Sequence, residues 1–205
     1  MGKPGAGPQR GSRPRGATWA AFAAVLALFC AGCPQMLVAK GVSTAAGIVA
    51  DDRSLSEQTA DFELKSQIEQ GLLTQSAALA ARVNVDVFLG RVMLTGVVAA
   101  ADSRWMAVRT ARQIAGDREV YDDIEVRPDG SLTDAAANTA ANKALGLNLL
   151  ASEGIASQSL LHRVVEGTAF IMGEVQDANL IEAIRAVALQ TPGVGRVVTH
   201  ITLVE

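Results

Sequence analysis

Histidine and cysteine side chains are the groups of this 205-residue chain that could support acid–base, metal-binding or thiol chemistry. The chain has two of each, namely His162, His200, Cys30 and Cys33. A catalytic histidine needs a nucleophile or a carboxylate within reach, and neither histidine has one at a useful sequence spacing. We therefore predict structural histidines, no catalytic residue, no metal site, no cofactor and no enzymatic activity.

A cluster of acidic residues could attract a cation, and consists of Glu119, Asp122, Asp123 and Glu125. Alternation along a strand would split these side chains between two faces, so we interpret them as a solvated edge. Arginines interspersed with acids are interpreted in the same way, as a solvated face: Arg82, Arg91, Arg104, Arg109 and Arg112.

The first 32 residues have the layout of a secretory signal. Four basic residues precede an apolar stretch at 17–29, and small residues follow just before Cys33. The apolar stretch is too short for a membrane span, which needs about 20 residues. The segment Ala31-Gly32-Cys33 resembles the lipobox of bacterial lipoproteins. This resemblance implies that Cys33 is lipidated and becomes the new N-terminus; the alternative is ordinary cleavage nearby, which would leave a soluble periplasmic protein.

Removal of the signal would leave no thiol for a disulfide, a metal site or thiol catalysis, because the only cysteines are Cys30 and Cys33. Several acyl chains such as palmitate on Cys33 would anchor the chain stably, whereas one chain is marginal. Pro34 follows Cys33, where lipoproteins retained at the inner membrane of enteric bacteria carry Asp. We therefore predict the periplasmic face of the outer membrane.

The charge balance argues against a nucleic-acid binder. Residues 1–32 hold four basic residues and no acidic ones, so the net charge of −3 becomes about −7 when they are removed. Nucleic-acid-binding domains carry a basic patch or stripe instead. We expect no nucleic-acid partner.

An internal repeat organises the rest of the chain. Residues 61–128, moved forward by 77 positions, fall on 138–205 without a gap. Both copies contain a G-x5-G segment, and its glycines are Gly90, Gly96, Gly167 and Gly173. The repeat predicts one small module used twice. We divide the chain into a signal (1–32), a tether (33–56), module 1 (57–128) and module 2 (131–205), and expect modules this small to contact each other.

Hydrophobic periodicity predicts the elements of each module. Apolar residues four positions apart over 64–72 predict an amphipathic helix, and alternating valines over 83–87 predict a strand. A second strand over 92–98 contains Gly96, which indicates a bulge or a close backbone approach.

A second helix and a third strand complete the module. Asp102-Ser103 can cap the helix, which ends near Gly116, and residues 119–126 form the strand. Trp105, on this helix, aligns with Glu182 of module 2, which leaves exposure open, but we expect it to lie in the core or between modules. Module 2 follows the same order, so we predict an α+β fold of two αββαβ modules, each a three-stranded sheet with two helices on one face.

The segments 82–85, 90–97 and 193–197 resemble the BON domain (bacterial OsmY and nodulation), so that modules 1 and 2 would be BON domains 1 and 2. A lipobox, a short tether and two such modules resemble the dual-BON outer-membrane lipoproteins of the division- and outer-membrane-associated type. The resemblance implies a non-enzymatic protein that binds anionic phospholipid and maintains envelope integrity. It also implies a membrane-contacting surface on the first helix of module 2, at about 139–151.

The outward face of that helix has lost the polar residues of its counterpart in module 1. Glu63, Gln67 and Gln70 are replaced by Ala140, Ala144 and Leu147, and an apolar outer face indicates a partner surface. The predicted contact residues are Ala140, Lys143, Ala144, Leu147 and Leu150. Three partners remain open: module 1, the membrane, or another protein, which would make the chain a periplasmic adaptor of envelope stress or secretion machinery. The oligomeric state is not predicted.

Overall fold

The computed structural model of the chain describes Gly2 and residues 54–129 and 135–204. The predicted signal, the lipidation residue Cys33 and most of the tether therefore lie outside the described residues. The described part of both modules belongs to one compact unit.

Each module has the predicted order of elements. Module 1 contains α1 (Leu55–Gln75), a short α2 (Ala77–Ala80), β1 (Val83–Phe88), β2 (Arg91–Val98), α3 (Ala101–Ala115) and β3 (Val120–Val126). Module 2 contains α4 (Ala135–Ala151), a 3₁₀ turn (Ser157–Ser159), β4 (Leu160–Val165), β5 (Thr168–Val175), α5 (Ala178–Leu189) and β6 (Arg196–Leu203). The tandem α+β fold is thereby confirmed. No helix among the described residues is long and apolar enough to cross a membrane.

The two sheets have the same topology. Strand order is β1-β2-β3 in module 1 and β4-β5-β6 in module 2. The first two strands of each sheet pair antiparallel, and the third pairs parallel to the second. The helix between the parallel strands serves as the crossover connection that such strands require.

One core lies between the helices and the sheet of each module. In module 1 the predicted stripe of Leu64, Ile68 and Leu72 is buried against alternate residues of the strands. In module 2 the equivalent stripe is Ala141, Leu145 and Leu149. The helical periodicity arises because one face of each helix is removed from water, and the strand periodicity arises because alternate residues of each strand face the helices.

Two glycines allow the strands to approach closely, as the sequence predicts for Gly96. A Cβ atom at Gly96 would lie 2.1 Å from the carbonyl oxygen of Arg82, and one at Gly173 would lie 2.3 Å from that of Ser159. Gly96 also has a φ of +134°, which disfavours any side chain.

Two details of α3 differ from the prediction. The helix begins at Ala101 with Ala100 at the N-cap position and no side-chain cap, so Asp102 lies in the first turn, where its charge still favours the helix dipole. Trp105 is 59% exposed, and the prediction that it is buried is wrong. The buried stripe of α3 passes through Ala107 and Ala111, and Trp105 lies on the opposite side of the helix, with the Arg109 guanidinium 4.9 Å from its ring centroid.

The second face of each sheet is covered by the other sheet. Phe88 and Met93 from module 1 pack with Phe170 and Met172 from module 2 in a separate apolar cluster. The helices lie on the outer faces, so the described residues form four layers in the order helix, sheet, sheet, helix. The expected contact between modules is therefore made by the sheets and not by the first helix of module 2.

Candidate functional site

Helix α4 carries the predicted contact residues on the side that faces away from its core. Leu147 is 66% exposed and Leu150 is 52% exposed. Ala140 and Lys143 are also exposed, whereas Ala144 is half-buried. With 3.6 residues per turn, these positions share the face opposite the buried Ala141 stripe. The structure thus places the five residues on one surface, which we call the α4 face.

The main contacts of α4 are with β4, α5 and the 3₁₀ turn of its own module. The alternative in which Leu147 and Leu150 pack on module 1 is therefore not what the structure shows. Only the flank of α4 approaches module 1, where Asn142 and Lys143 help to line a cavity of about 450 Å³ together with Arg82. Lys143 thus lies at the edge of the α4 face that borders this cavity.

Comparison with α1 refines which residues distinguish the α4 face. Leu150 corresponds to Leu73, which is itself 50% exposed, so Leu150 does not set module 2 apart. Phe62 of α1 is 71% exposed, so the module 1 helix is less uniformly polar than the sequence comparison indicates. Leu147, which replaces Gln70, remains the clearest difference.

The charge balance of the two helices also differs. Lys143 is the only charged residue in the sequence of α4. Helix α1 carries five charged residues, namely Glu57, Asp61, Glu63, Lys65 and Glu69. An exposed helix face with a single charge is easier to remove from water than one with several, because burying an unpaired charge is costly.

The structure explains why a glycine occupies position 146, which the sequence alone does not reveal. A Cβ atom at this position would lie 2.9 Å from Nε2 of His162. His162 takes the strand position that Val85 has in module 1, and the longer ring reaches α4. The replacement of Glu69 by Gly146 therefore makes room for the ring and is not part of the exposed surface.

His162 has the structural role that we predict for it. Its Nδ1 lies 3.1 Å from Oδ1 of Asn142, which also accepts from the backbone N–H of Val164. Because that oxygen is an acceptor, Nδ1 carries the hydrogen. Burial lowers the pKa of His162 below its usual 6.5, and the neighbouring Arg163 charge lowers it further.

The lowered pKa of His162 predicts a pH-dependent stability. The unfolded chain binds a proton near pH 6.5 more readily than the folded chain does, so stability falls as the pH decreases through that value. We expect the free energy of unfolding, measured with urea between pH 7.5 and 5, to fall less steeply in His162→Gln than in the wild type. Parallel curves would show that His162 does not titrate in this way.

The interface between the sheets contains polar contacts that the sequence analysis missed. Asp86 accepts hydrogen bonds from Nε and Nη2 of Arg163. Asp123 lies 2.7 Å from Nε2 of His200, and the His200 ring stacks on Tyr121 with centroids 3.9 Å apart. The prediction that these charges form a solvated edge fails for Asp123, whose side chain is only 15% exposed.

Arg91 also differs from its predicted solvated position. Its side chain is only 13% exposed; it donates to the carbonyl oxygen of Gly173 at 3.1 Å and also contacts the Thr202 hydroxyl. Burial of an arginine is tolerated where its donors find acceptors. Asp122 pairs with Arg104 within module 1, with Oδ2 and Nε 3.0 Å apart. Among the described residues, no group of acidic, histidine or cysteine side chains could hold a metal ion.

One signal in the sequence could have located these contacts. Asp86 and Arg163 are 77 positions apart, and so are Asp123 and His200, which is the period of the repeat. Equivalent residues meet each other only at the axis of a two-fold arrangement. The repeat therefore restricts the contacts at the axis to pairs of equivalent residues, once the modules are taken to pack face to face.

The sequence relatives of the chain include the following two proteins. The chain is 30% identical over 122 residues to a protein of Anaplasma centrale described as an uncharacterized protein in the gshII 5′ region, covering 59% of this chain and 81% of that protein. It is 24% identical over 172 residues to the outer membrane lipoprotein DolP of Haemophilus influenzae, covering 83% of this chain and 88% of DolP.

A search of solved structures gives a more distant likeness. CdsD, a structural protein of the type III secretion system of Chlamydia trachomatis, is 12% identical with a TM-score of 0.29, covering 72% of this chain and 63% of that one. A TM-score this low supports no argument about this chain.

The sequence profile of the BON domain matches both modules, at residues 60–128 and 133–205. The two matches together cover well over half of the 205 residues, and they agree with the repeated αββαβ order of the structure. The chain therefore belongs to the BON domain family.

Proposed function

We propose that the chain is a non-enzymatic, lipid-anchored envelope protein that binds phospholipid membrane through the α4 face and supports outer-membrane integrity. The observation that carries the proposal is the exposure of Leu147, which replaces Gln70 of module 1, on a helix with one charge. Similarity to the outer membrane lipoprotein DolP along most of both chains supports the location. The Ala31-Gly32-Cys33 sequence supports an anchor at Cys33.

The anchor and the α4 face would act together. Full burial of a leucine side chain contributes about 1.5–3 kcal/mol, and the two exposed leucines are already partly covered, so together they supply only weak binding. The α4 face offers Lys143 as its one cation, whereas strong attraction to anionic lipid takes several. An acyl anchor holds the module at the membrane and raises its effective concentration, so weak contacts suffice.

Vesicle co-sedimentation tests the proposal with residues 34–205, which lack the predicted anchor. Vesicles of phosphatidylcholine alone and of phosphatidylcholine with phosphatidylglycerol are compared. We expect the wild type to sediment with vesicles, and Ala144→Glu with Leu147→Glu to reduce the bound fraction at least roughly tenfold, because each charge would have to enter the interface.

Module 1 provides a matched control for this experiment. Gln67→Glu with Gln70→Glu places the same two carboxylates at the equivalent positions of α1, and we expect its binding to stay close to that of the wild type. Equal losses in both double variants would indicate simple charge repulsion. No sedimentation of a folded wild type would contradict direct lipid binding.

A protein partner is the second candidate for the α4 face. Module 2 has seven acidic residues and four basic ones over 131–205, which gives it little long-range attraction to an anionic membrane. In that case the chain would be a periplasmic adaptor, and the exposed leucines would fit a groove on another envelope protein. A folded wild type that co-sediments with neither kind of vesicle would favour this function.

A further inference from the structure

The face-to-face packing of the two sheets follows an approximate two-fold axis. Asp86 and Arg163 take equivalent places in the strand pairing, opposite Met93 and Phe170 respectively, and they contact each other. Residues that meet their own equivalents lie at the axis of an isologous interface. Asp123 and His200 form a second pair of this kind.

The chemistry at the axis is opposite in the two modules. Module 1 presents a carboxylate at both positions, Asp86 and Asp123, and module 2 presents a basic side chain at both, Arg163 and His200. Asp86 is nearly buried, with 6% of its side chain exposed. Its charge therefore needs a partner, since an unpaired buried charge is costly.

We propose that these two pairs form a charge code by which each sheet face accepts the complementary module and rejects a copy of itself. Two copies of module 1 in the same arrangement would set Asp86 against Asp86 and Asp123 against Asp123. Two copies of module 2 would set Arg163 against Arg163. The partner that fits either face is thus a BON-type sheet that sets a basic side chain opposite a carboxylate at both axis positions.

The apolar cluster discriminates less sharply between modules. Met93 and Phe170 take equivalent positions in it, and pairing of like modules would exchange one large apolar residue for another, which cores tolerate. Met172 corresponds to Thr95, so that position changes in size and polarity but brings no like charges together. Like charges set opposite each other suppress wrong pairings strongly. The charged pairs therefore select the partner, and the apolar residues hold it.

A double-mutant cycle in the full chain tests the code. The variants are Asp86→Arg, Arg163→Asp and the combination of both. The readout is the access of a soluble paramagnetic probe to the labelled methyl groups of Met93 and Met172, which are both fully buried between the sheets. Met106, which packs against the core of module 1, reports on unfolding of that module instead.

We expect each single reversal to raise probe access to Met93 and Met172 by roughly tenfold or more, with Met106 unchanged. The combined variant should lower access well below that of Asp86→Arg. Lys65, whose Nζ lies 3.5 Å from Oδ1 of Asp86, faces an arginine in both variants that alter position 86, so this repulsion cancels in the coupling between positions 86 and 163 and remains in any direct comparison with the wild type.

The control cycle uses Arg104 and Asp122, which pair at 3.0 Å inside module 1. Reversal of these charges should leave Met93 and Met172 protected. Protection in the single interface variants, or no recovery in the combined one, would overturn the proposal. If a reversal exposes Met106 as well, that variant has unfolded module 1. The cycle is then repeated with Asp86→Asn and Arg163→Gln, which remove the charges without setting like charges together. An absence of coupling between these two substitutions would equally contradict the code.

Discussion

Gly173→Ala is expected to lower the free energy of unfolding by about 3 kcal/mol. The added Cβ would lie 2.3 Å from the carbonyl oxygen of Ser159 and 2.7 Å from Cδ2 of Leu160. The Leu160 side chain could move, but the carbonyl belongs to the segment that enters β4. Because β4 pairs with β5 at this point, relief of the clash would separate two strands of the sheet.

Gly195→Ala is the matched control, because its Cβ would lie 3.9 Å from its nearest neighbour outside the adjacent residues, the Gly167 carbonyl oxygen. Neither Gly173 nor Gly195 has a positive φ, so the comparison isolates the close approach from backbone strain. Urea unfolding followed by circular dichroism measures both variants. Equal stability of the two would show that β4 and β5 can separate at little cost.

The helices and strands were predictable because their burial is periodic over a few residues. The stripe of Leu64, Ile68 and Leu72 and the alternating valines of β1 each indicate a buried face without knowledge of the partner element. The repeat strengthened the prediction, since each module gives an independent instance of the same pattern.

The second face of each sheet was not predictable from the same pattern. Asp86 alternates with valines and Asp123 lies in an acidic stretch, as solvent-facing residues do, yet both are covered by the other module. Local periodicity reports only whether a side chain differs from its neighbours, and a paired buried charge gives the same signal as an exposed one. Only the distance of 77 residues between the partners carried the information.

The α4 face was predictable in part for a related reason. Comparison of the repeats identified Leu147, because the replacement of Gln70 by a leucine on the outer side of a helix is visible in the sequence without knowledge of the other elements. The same comparison could not explain Gly146, since the space that it leaves is filled by His162 from β4. Nor could it show that Leu73 and Phe62 are exposed on α1, because exposure depends on how the modules are arranged.

Asp61→Ala is expected to destabilise the protein by about 2 kcal/mol, because the carboxylate of Asp61 on α1 accepts hydrogen bonds from the β1–β2 turn. Its oxygens accept from the backbone N–H of Leu89 at 2.8 Å and of Gly90 at 2.7 Å. Both turn residues have positive φ, 49° and 74°, and a leucine in that region is strained. Alanine would gain up to about 0.7 kcal/mol of helix propensity, which offsets only part of the loss.

Asp61→Asn provides the sharper half of this test, because module 2 already has an asparagine at the equivalent position. Oδ1 of Asn138 accepts from the backbone N–H of Glu166 at 3.1 Å, in the turn that corresponds to Leu89 and Gly90. One amide oxygen therefore holds such a turn, and we expect Asp61→Asn to retain about half of the stabilisation that Asp61→Ala removes. Urea unfolding of both variants, with Glu63→Ala as an exposed control on the same helix, decides the matter. If Asp61→Asn were as unstable as Asp61→Ala, the negative charge and not the acceptor atom would be what holds the turn.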